Sequence, residues 1–187
     1  MFIQTEQTPN PATLKFLPGR DVMAHSGHGA SADFPSADAA TGSPLASALF
    51  AVEGVRGVFF GGDFVTVTKE EGRDWQFLKP AILAAIMEHF TSGQALFAAG
   101  TQAAAASSEE DGEVVAQIKE LLETRVRPAV AQDGGDIIFR SFEDGVVYLH
   151  LQGSCSGCPS STATLKAGIE NLLRHYVPEV REVRAAQ

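Results

Sequence analysis

Apolar positions recur along this chain with two periods, and the switches between them mark its elements. Residues 2–7 and 12–17 are short runs rich in β-branched and aromatic side chains, separated by Thr8-Pro9-Asn10-Pro11. That composition around a proline-bearing turn predicts a hairpin. Residues 20–43 are polar and rich in small side chains, which predicts a long surface loop. Pro44 suits the first turn of a helix running through 52, and 55–60 and 64–68 flank Gly61-Gly62-Asp63 as a second hairpin. Trp75, Leu78, Ile82, Ile86 and Phe90 then recur every three or four residues, so an amphipathic helix is predicted over 74–91. The predicted order is ββαββα.

Over 93–112 the apolar period is lost, and alanine, serine, glycine and acidic residues dominate. Such a stretch buries too little surface to offset its ordering entropy and is expected to be a flexible linker. It separates an N-terminal domain, 1–92, from a C-terminal domain, 113–187. In the second domain Val114, Ile118, Leu121, Leu122 and Val126 form one helical stripe, which Pro128 is expected to end or kink. Asp133-Gly134-Gly135-Asp136 is turn chemistry. Residues 137–142 and 146–151 predict a hairpin through Glu143-Asp144-Gly145. A helix opening at Pro159 buries Leu165, Ile169, Leu172, Leu173 and Tyr176, and a last strand is expected at 180–183. The predicted order here is αββαβ. Both domains are expected to be α+β, each a small sheet with helices packed on one face.

Composition narrows the function classes. Hydrophobic residues at 44% and charged residues at 20% fit a folded globular chain. The longest uncharged apolar run, 80–87, is far short of the ~20 residues a bilayer-spanning helix needs. Fourteen Lys and Arg against 23 Asp and Glu leave a net charge of −9, which argues against a nucleic-acid partner. Met1 leads directly into Phe2, Ile3, Gln4 and Thr5 with no presequence pattern, so a bacterial, cytoplasmic protein is expected. Phe59 and Phe60 are adjacent on a predicted strand and point to opposite faces; one of them is a candidate partner contact.

The candidate chemistry lies in one loop. Gly153-Ser154-Cys155-Ser156-Gly157-Cys158-Pro159 falls between a strand end and a helix start and holds both cysteines of the chain. In a reducing compartment, two cysteines at this spacing point to metal or redox chemistry rather than a structural disulfide. The start of the following helix favours negative charge, so depressed thiol pKa values are expected, and thiolates are the ligands soft metals require. A [4Fe-4S] cluster or a tetrahedral zinc normally takes four protein ligands. Two per chain implies a site shared across a two-fold dimer, exposed at its seam. A thiol–disulfide exchange site remains an alternative for the same pair, as does zinc completed by His150 and His175 or by a second chain. His25 and His28 lie in the polar loop. No nucleophile–base pair, phosphate loop or carboxylate dyad is present, so no catalytic residues are assigned.

The segment Asp133-Gly-Gly-Asp-Ile137, with Gly153-Ser-Cys-Ser-Gly-Cys-Pro-Ser-Ser161 and the helix that follows, resembles the C-terminal domain of NifU and the Nfu iron-sulfur proteins. The opening Gln4-Thr-Glu-Gln-Thr-Pro-Asn-Pro-Ala-Thr-Leu-Lys-Phe16, with Phe34-Pro-Ser and Gly57-Val-Phe-Phe60, resembles the N-terminal domain of Nfu proteins. The resemblance implies a non-enzymatic scaffold or carrier that holds a [4Fe-4S] cluster, or a [2Fe-2S] form of it, between two subunits. Cys155 and Cys158 match the family's ligand positions. Upstream cluster assembly proteins and iron-sulfur apo-protein clients are the implied partners.

Overall fold

The computed structural model describes residues 1–23, 31–98, 112–156 and 159–186, with backbone alone for 159–161. The chain divides into two units, Met1–Ala105 and Ala106–Gln187.

In the first unit the alternating runs form β1 (Gln4–Gln7), β2 (Thr13–Leu17), β4 (Val55–Phe60) and β5 (Val65–Lys69). A short strand inside the expected surface loop, β3 (Ala32–Phe34), adds an edge. The sheet order is β1-β2-β5-β4-β3, with every neighbouring pair antiparallel. The element order is therefore βββαββα. Three residues carry too little pattern to signal a strand; what holds β3 is its pairing with β4 and the Phe34 ring, edge-on to Phe60 at 5.0 Å between centroids.

Register sorts the two faces of this sheet. Phe16 lies opposite Val65, Leu14 and Val58 opposite Val67, and Phe60 opposite Val65. These side chains form one core with Leu45 and Leu49 of α1 (Pro44–Phe50) and Leu78, Ile82 and Ile86 of α2 (Trp75–Ser92). On the other face Lys15 lies opposite Thr66, and Thr66 opposite Phe59. Phe59 is nonetheless buried, 2% exposed, with the Phe64 ring at 6.0 Å and the Lys15 ammonium 4.7 Å above Phe64. Neither Phe59 nor Phe60 is left exposed for a partner, because Phe64 and the apolar stem of Lys15 cover the second face.

Capping sets the helix ends. The Ser43 hydroxyl accepts the Ala46 N–H and donates to the Leu96 carbonyl at 2.7 Å, and Asp74 accepts the Gln76 N–H at 2.9 Å. Gly93, at φ 68°, closes α2. The chain beyond it stays with this unit: Leu96 and Phe97 pack on the core, and the Ala98 N–H reaches the Gly42 carbonyl at 2.8 Å. Order in the span expected to be linker thus extends to residue 98, since two apolar side chains there find a core to join. Residues 99–111 lie outside the described residues.

The second unit contains α3 (Glu113–Leu121), a π-helical segment (Leu122–Val126), α4 (Arg127–Gln132), β6 (Gly135–Glu143), β7 (Val146–Gly153), α5 (Pro159–Tyr176) and β8 (Glu182–Ala185). Pro128 does not end the first helix. The preceding turn widens, with the Arg127 N–H bonded to the Leu122 carbonyl five residues back, and the chain stays helical to Gln132. Buried Ile118, Leu122, Val126 and Val130 follow a strict spacing of four. A uniform α-helix would rotate that stripe off its face, and a wider turn returns it. The sheet order is β6-β7-β8, antiparallel then parallel, so β7, α5 and β8 form a crossover unit. Its core joins Ile137, Val147, Leu149 and Val183 to Ile118, Ile169 and Leu173. No helix among the described residues is long and apolar enough to cross a membrane.

His89 is 5% exposed on the core side of α2, with Nδ1 buried and without a hydrogen-bond partner, and burial pushes its pKa below the usual histidine value of 6.5. The folded unit therefore takes up this proton only at lower pH than the unfolded chain, which does so as pH falls through 6.5. This contribution to stability is complete above that pH and is lost progressively below it. The chain has one tryptophan, Trp75, in this unit. The urea midpoint read from Trp75 fluorescence should fall between pH 7 and pH 5, and His89→Leu should flatten that decline.

Candidate functional site

The site forms where the two ends of the β6–β7 hairpin meet. Gly135, the first residue of β6, lies opposite Gly153, the last of β7. The preceding turn reverses the chain at Gly134, with φ 78°, a conformation that favours glycine. Two bonds tie the loop after β7 to this turn: the Ser154 N–H donates to the Gly134 carbonyl at 3.2 Å, and the Ser154 hydroxyl donates to the Asp133 carbonyl. The Ser156 N–H returns to the Gly153 carbonyl at 3.1 Å, and the Thr162 hydroxyl, from the first turns of α5, donates to the Cys155 carbonyl at 3.3 Å.

Cys155 is thereby packed into the core of the second unit, 6% exposed. In the single chain this thiol is therefore buried rather than exposed, because the loop is laced to the turn behind it. Cys158 lies outside the described residues, as do His25 and His28. His150 sits on β7, half-buried, with Nδ1 unpartnered; His175 is exposed at the end of α5 with its ring edge-on to Tyr176 at 4.9 Å. Among the described residues no group of three or more His, Cys, Asp or Glu side chains is placed to hold a metal ion. Among the described residues, then, neither histidine forms such a group with Cys155.

Asp136 does more than shape a turn. Its carboxylate is buried and accepts from Arg127 Nε at 2.8 Å and Nη2 at 2.7 Å, while Oδ1 also accepts the Ile137 N–H at 2.8 Å. Arg127 reaches Glu123 as well, at 2.6 Å. Its pKa is raised, chiefly by the hydrogen bonds to Asp136, so the guanidinium stays charged. The widened helical turn places Arg127 beside β6, and the pair clamps the start of that strand next to Cys155. Sequence reading passed over Arg127 and assigned Gly135 only to the turn. A recognisable signal existed: one glycine at positive φ suffices for the reversal, so the second glycine of Asp-Gly-Gly-Asp calls for another explanation.

A cysteine loop between β7 and α5 of a crossover unit suits a metallocluster ligand and also a thiol–disulfide exchanger. Geometry alone thus defines a two-unit α+β protein with a thiol site in its second unit. Comparison with known proteins resolves the class. Residues 3–93 match the family described as "Scaffold protein Nfu/NifU N terminal", and residues 118–184 match "NifU-like domain". The chain is 58% identical over 184 residues to a Homo sapiens protein named "NFU1 iron-sulfur cluster scaffold homolog, mitochondrial", covering 98% of this chain and 71% of that one. It is 57% identical over 188 residues to "NifU-like protein 4, mitochondrial" of Arabidopsis thaliana, covering 98% of this chain and 65% of that one. A protein of Drosophila ananassae bearing the same name as the human relative is 55% identical, and the chain spans 63% of its length. The chain belongs to the Nfu/NifU-like family of iron-sulfur cluster scaffold proteins. The bacterial, cytoplasmic placement expected from the N-terminal residues is overturned, since these relatives are named mitochondrial and point to an organelle.

Arg127→Ala leaves the Asp136 carboxylate buried without its cation and should destabilise the second unit by about 3 kcal/mol. Hydrogen exchange of peptides from 113–156 in a urea series measures this. Pairing Arg127→Met with Asp136→Leu removes both charges and should recover most of the loss.

Proposed function

We propose that this chain is a carrier that holds a [4Fe-4S] cluster between two copies of itself, through Cys155 and Cys158 of each, and delivers it to apo-proteins. The observation that supports the reading is the position of Cys155 in a family of iron-sulfur scaffolds: it lies in the loop between β7 and α5, two residues past Gly153, in a chain with two cysteines in all. A cubane cluster takes four thiolates, and a two-fold interface brings the same patch from each copy face to face. Loading and dimerisation are then one event. A [2Fe-2S] form would draw on the same four thiolates.

The cluster is cargo. Delivery proceeds by exchange at iron, in which an acceptor thiol gives up its proton and forms an Fe–S bond as Cys155 or Cys158 loses one, the released thiolate taking up a proton in turn, with no net change in oxidation state. Only the ligands of the cluster are exchanged and no chemical conversion is turned over, so the role is not enzymatic. Residues 113–187 hold the cargo. Residues 1–92 have no cysteine and serve to select the client and to raise the effective concentration of cluster near it, joined to the second domain through 93–112, of which Leu96 and Phe97 pack on the first unit. Cluster assembly proteins act upstream. With a net charge of −9, nucleic acid is no partner.

Anaerobic reconstitution tests this. About four irons and four sulfides per two chains are expected, together with a shift from monomer to dimer on a sizing column. Cys155→Ala and Cys158→Ala should each abolish stable loading with far-UV circular dichroism retained. Full iron on a monomeric species would overturn the shared site, and a reversible Cys155–Cys158 disulfide with no iron uptake would favour thiol–disulfide exchange instead. Transfer to a thiol-bearing apo-protein should outpace loss of iron to a chelator; equal rates would mean release into solution.

A further inference from the structure

We propose that Gly135 is a positioning residue for Cys155: the space its side chain would fill is the notch in which the Cys155 thiol rests. The reversal before β6 uses Gly134, whose φ is 78°, whereas Gly135 is a strand residue outside the positive-φ region. Glycine inside a strand weakens it, so its presence marks a bulge or a close approach. The ladder here is regular, with Gly135 opposite Gly153 and Asp136 opposite Gln152.

The close approach is to the cysteine. A Cβ built on Gly135 would lie 2.5 Å from Cys155 Sγ, 2.9 Å from the Gln152 carbonyl oxygen and 3.2 Å from the Cys155 nitrogen. Two of these neighbours are backbone and the third is a sulfur on a single-carbon stem, so none yields as the end of a long side chain does. Any side chain at 135 drives the thiol out of the notch or shifts the loop that carries it. The loop resists shifting because Ser154, 2% exposed, is bonded through both its N–H and its hydroxyl to the turn just before Gly135. One element thus supplies both the space for the sulfur and the ties that keep it there. The purpose of this arrangement, a ligand already placed before iron arrives, rests on the cluster-carrier reading. The placement itself does not, and it can be measured without iron.

The test is the rate at which iodoacetamide alkylates Cys155 in the iron-free full chain carrying Cys158→Ser, under anaerobic conditions. Cys155 should react about tenfold more slowly in buffer than in urea at the same pH, as expected for a group exposed only by local opening. Gly135→Ala should abolish most of that protection while far-UV circular dichroism is retained. Gly168→Ala, in α5 where an added Cβ meets nothing within 4 Å, should leave the protection unchanged. If Gly135→Ala does not fold, Ser154→Ala decides in its place, because losing the hydroxyl tie to Asp133 should also speed alkylation. Equal rates in buffer and urea, or protection that survives in a folded Gly135→Ala or Ser154→Ala chain, would overturn the proposal. Failure of the carrier reading would appear instead in iron and sulfide content, which this assay does not involve.

Discussion

The register of β6 on β7 governs the second unit. Pairing Gly135 with Gly153 brings the turn before one strand against the loop after the other, and what surrounds the site depends on that meeting. Slipping β6 by one residue on β7 would turn Ile137 out of the core and move Gly135 away from Cys155. Three features hold the register in place. Apolar burial of Ile137, Val147 and Leu149 selects the face, the Ser154 bonds join loop to turn, and the Arg127–Asp136 pair ties the start of β6 to α4. The last of these requires a helix that continues past Pro128, which the widened turn provides. A proline that ordinarily breaks a helix thus stands beside the arginine that anchors the site.

The same arrangement bears on how a scaffold protein of this family would hold a thiol ligand. A cysteine packed beside backbone on one side offers its sulfur in a restricted direction, and a ligand held this way loses little conformational freedom on binding. Under the proposed function, two cysteines per chain leave half of a four-thiolate site to a second copy, and an interface would then run through the completed site. In the first unit, both faces of the sheet are packed, one by α1 and α2 and the other by Phe64 and Lys15. Phe77, 81% exposed on α2, is one side chain the core does not use.

Much of this architecture was legible in the chain. Leu78, Ile82 and Ile86 at helical spacing predicted α2 to within one residue at each end, because burial on one face of a long helix repeats many times. The hairpins followed from β-prone runs around proline- or glycine-bearing turns, and the α+β class followed from the order of elements. Cys155 and Cys158 stood out by number and spacing alone, and the paired motifs pointed to the Nfu/NifU-like family. Short or exceptional features were not legible. β3 is three residues long and owes its existence to β4, Phe59 is buried through a neighbour on its own face, and the N-terminal residues suggested a compartment that the mitochondrial relatives contradict.

Local pattern, then, determined which segments are helix or strand, where the thiols lie along the chain, and which family it joins, because each is encoded by side chains within a few residues of one another. Tertiary structure decided that the helix survives Pro128, that Arg127 meets Asp136, that Cys155 is buried, and that the second glycine of Asp-Gly-Gly-Asp faces a sulfur twenty residues further along the chain. The physical reason is the same in each case. Steric exclusion and the pairing of a buried charge act through space between elements brought together only by the strand register, and a sequence read in order carries no measure of that distance.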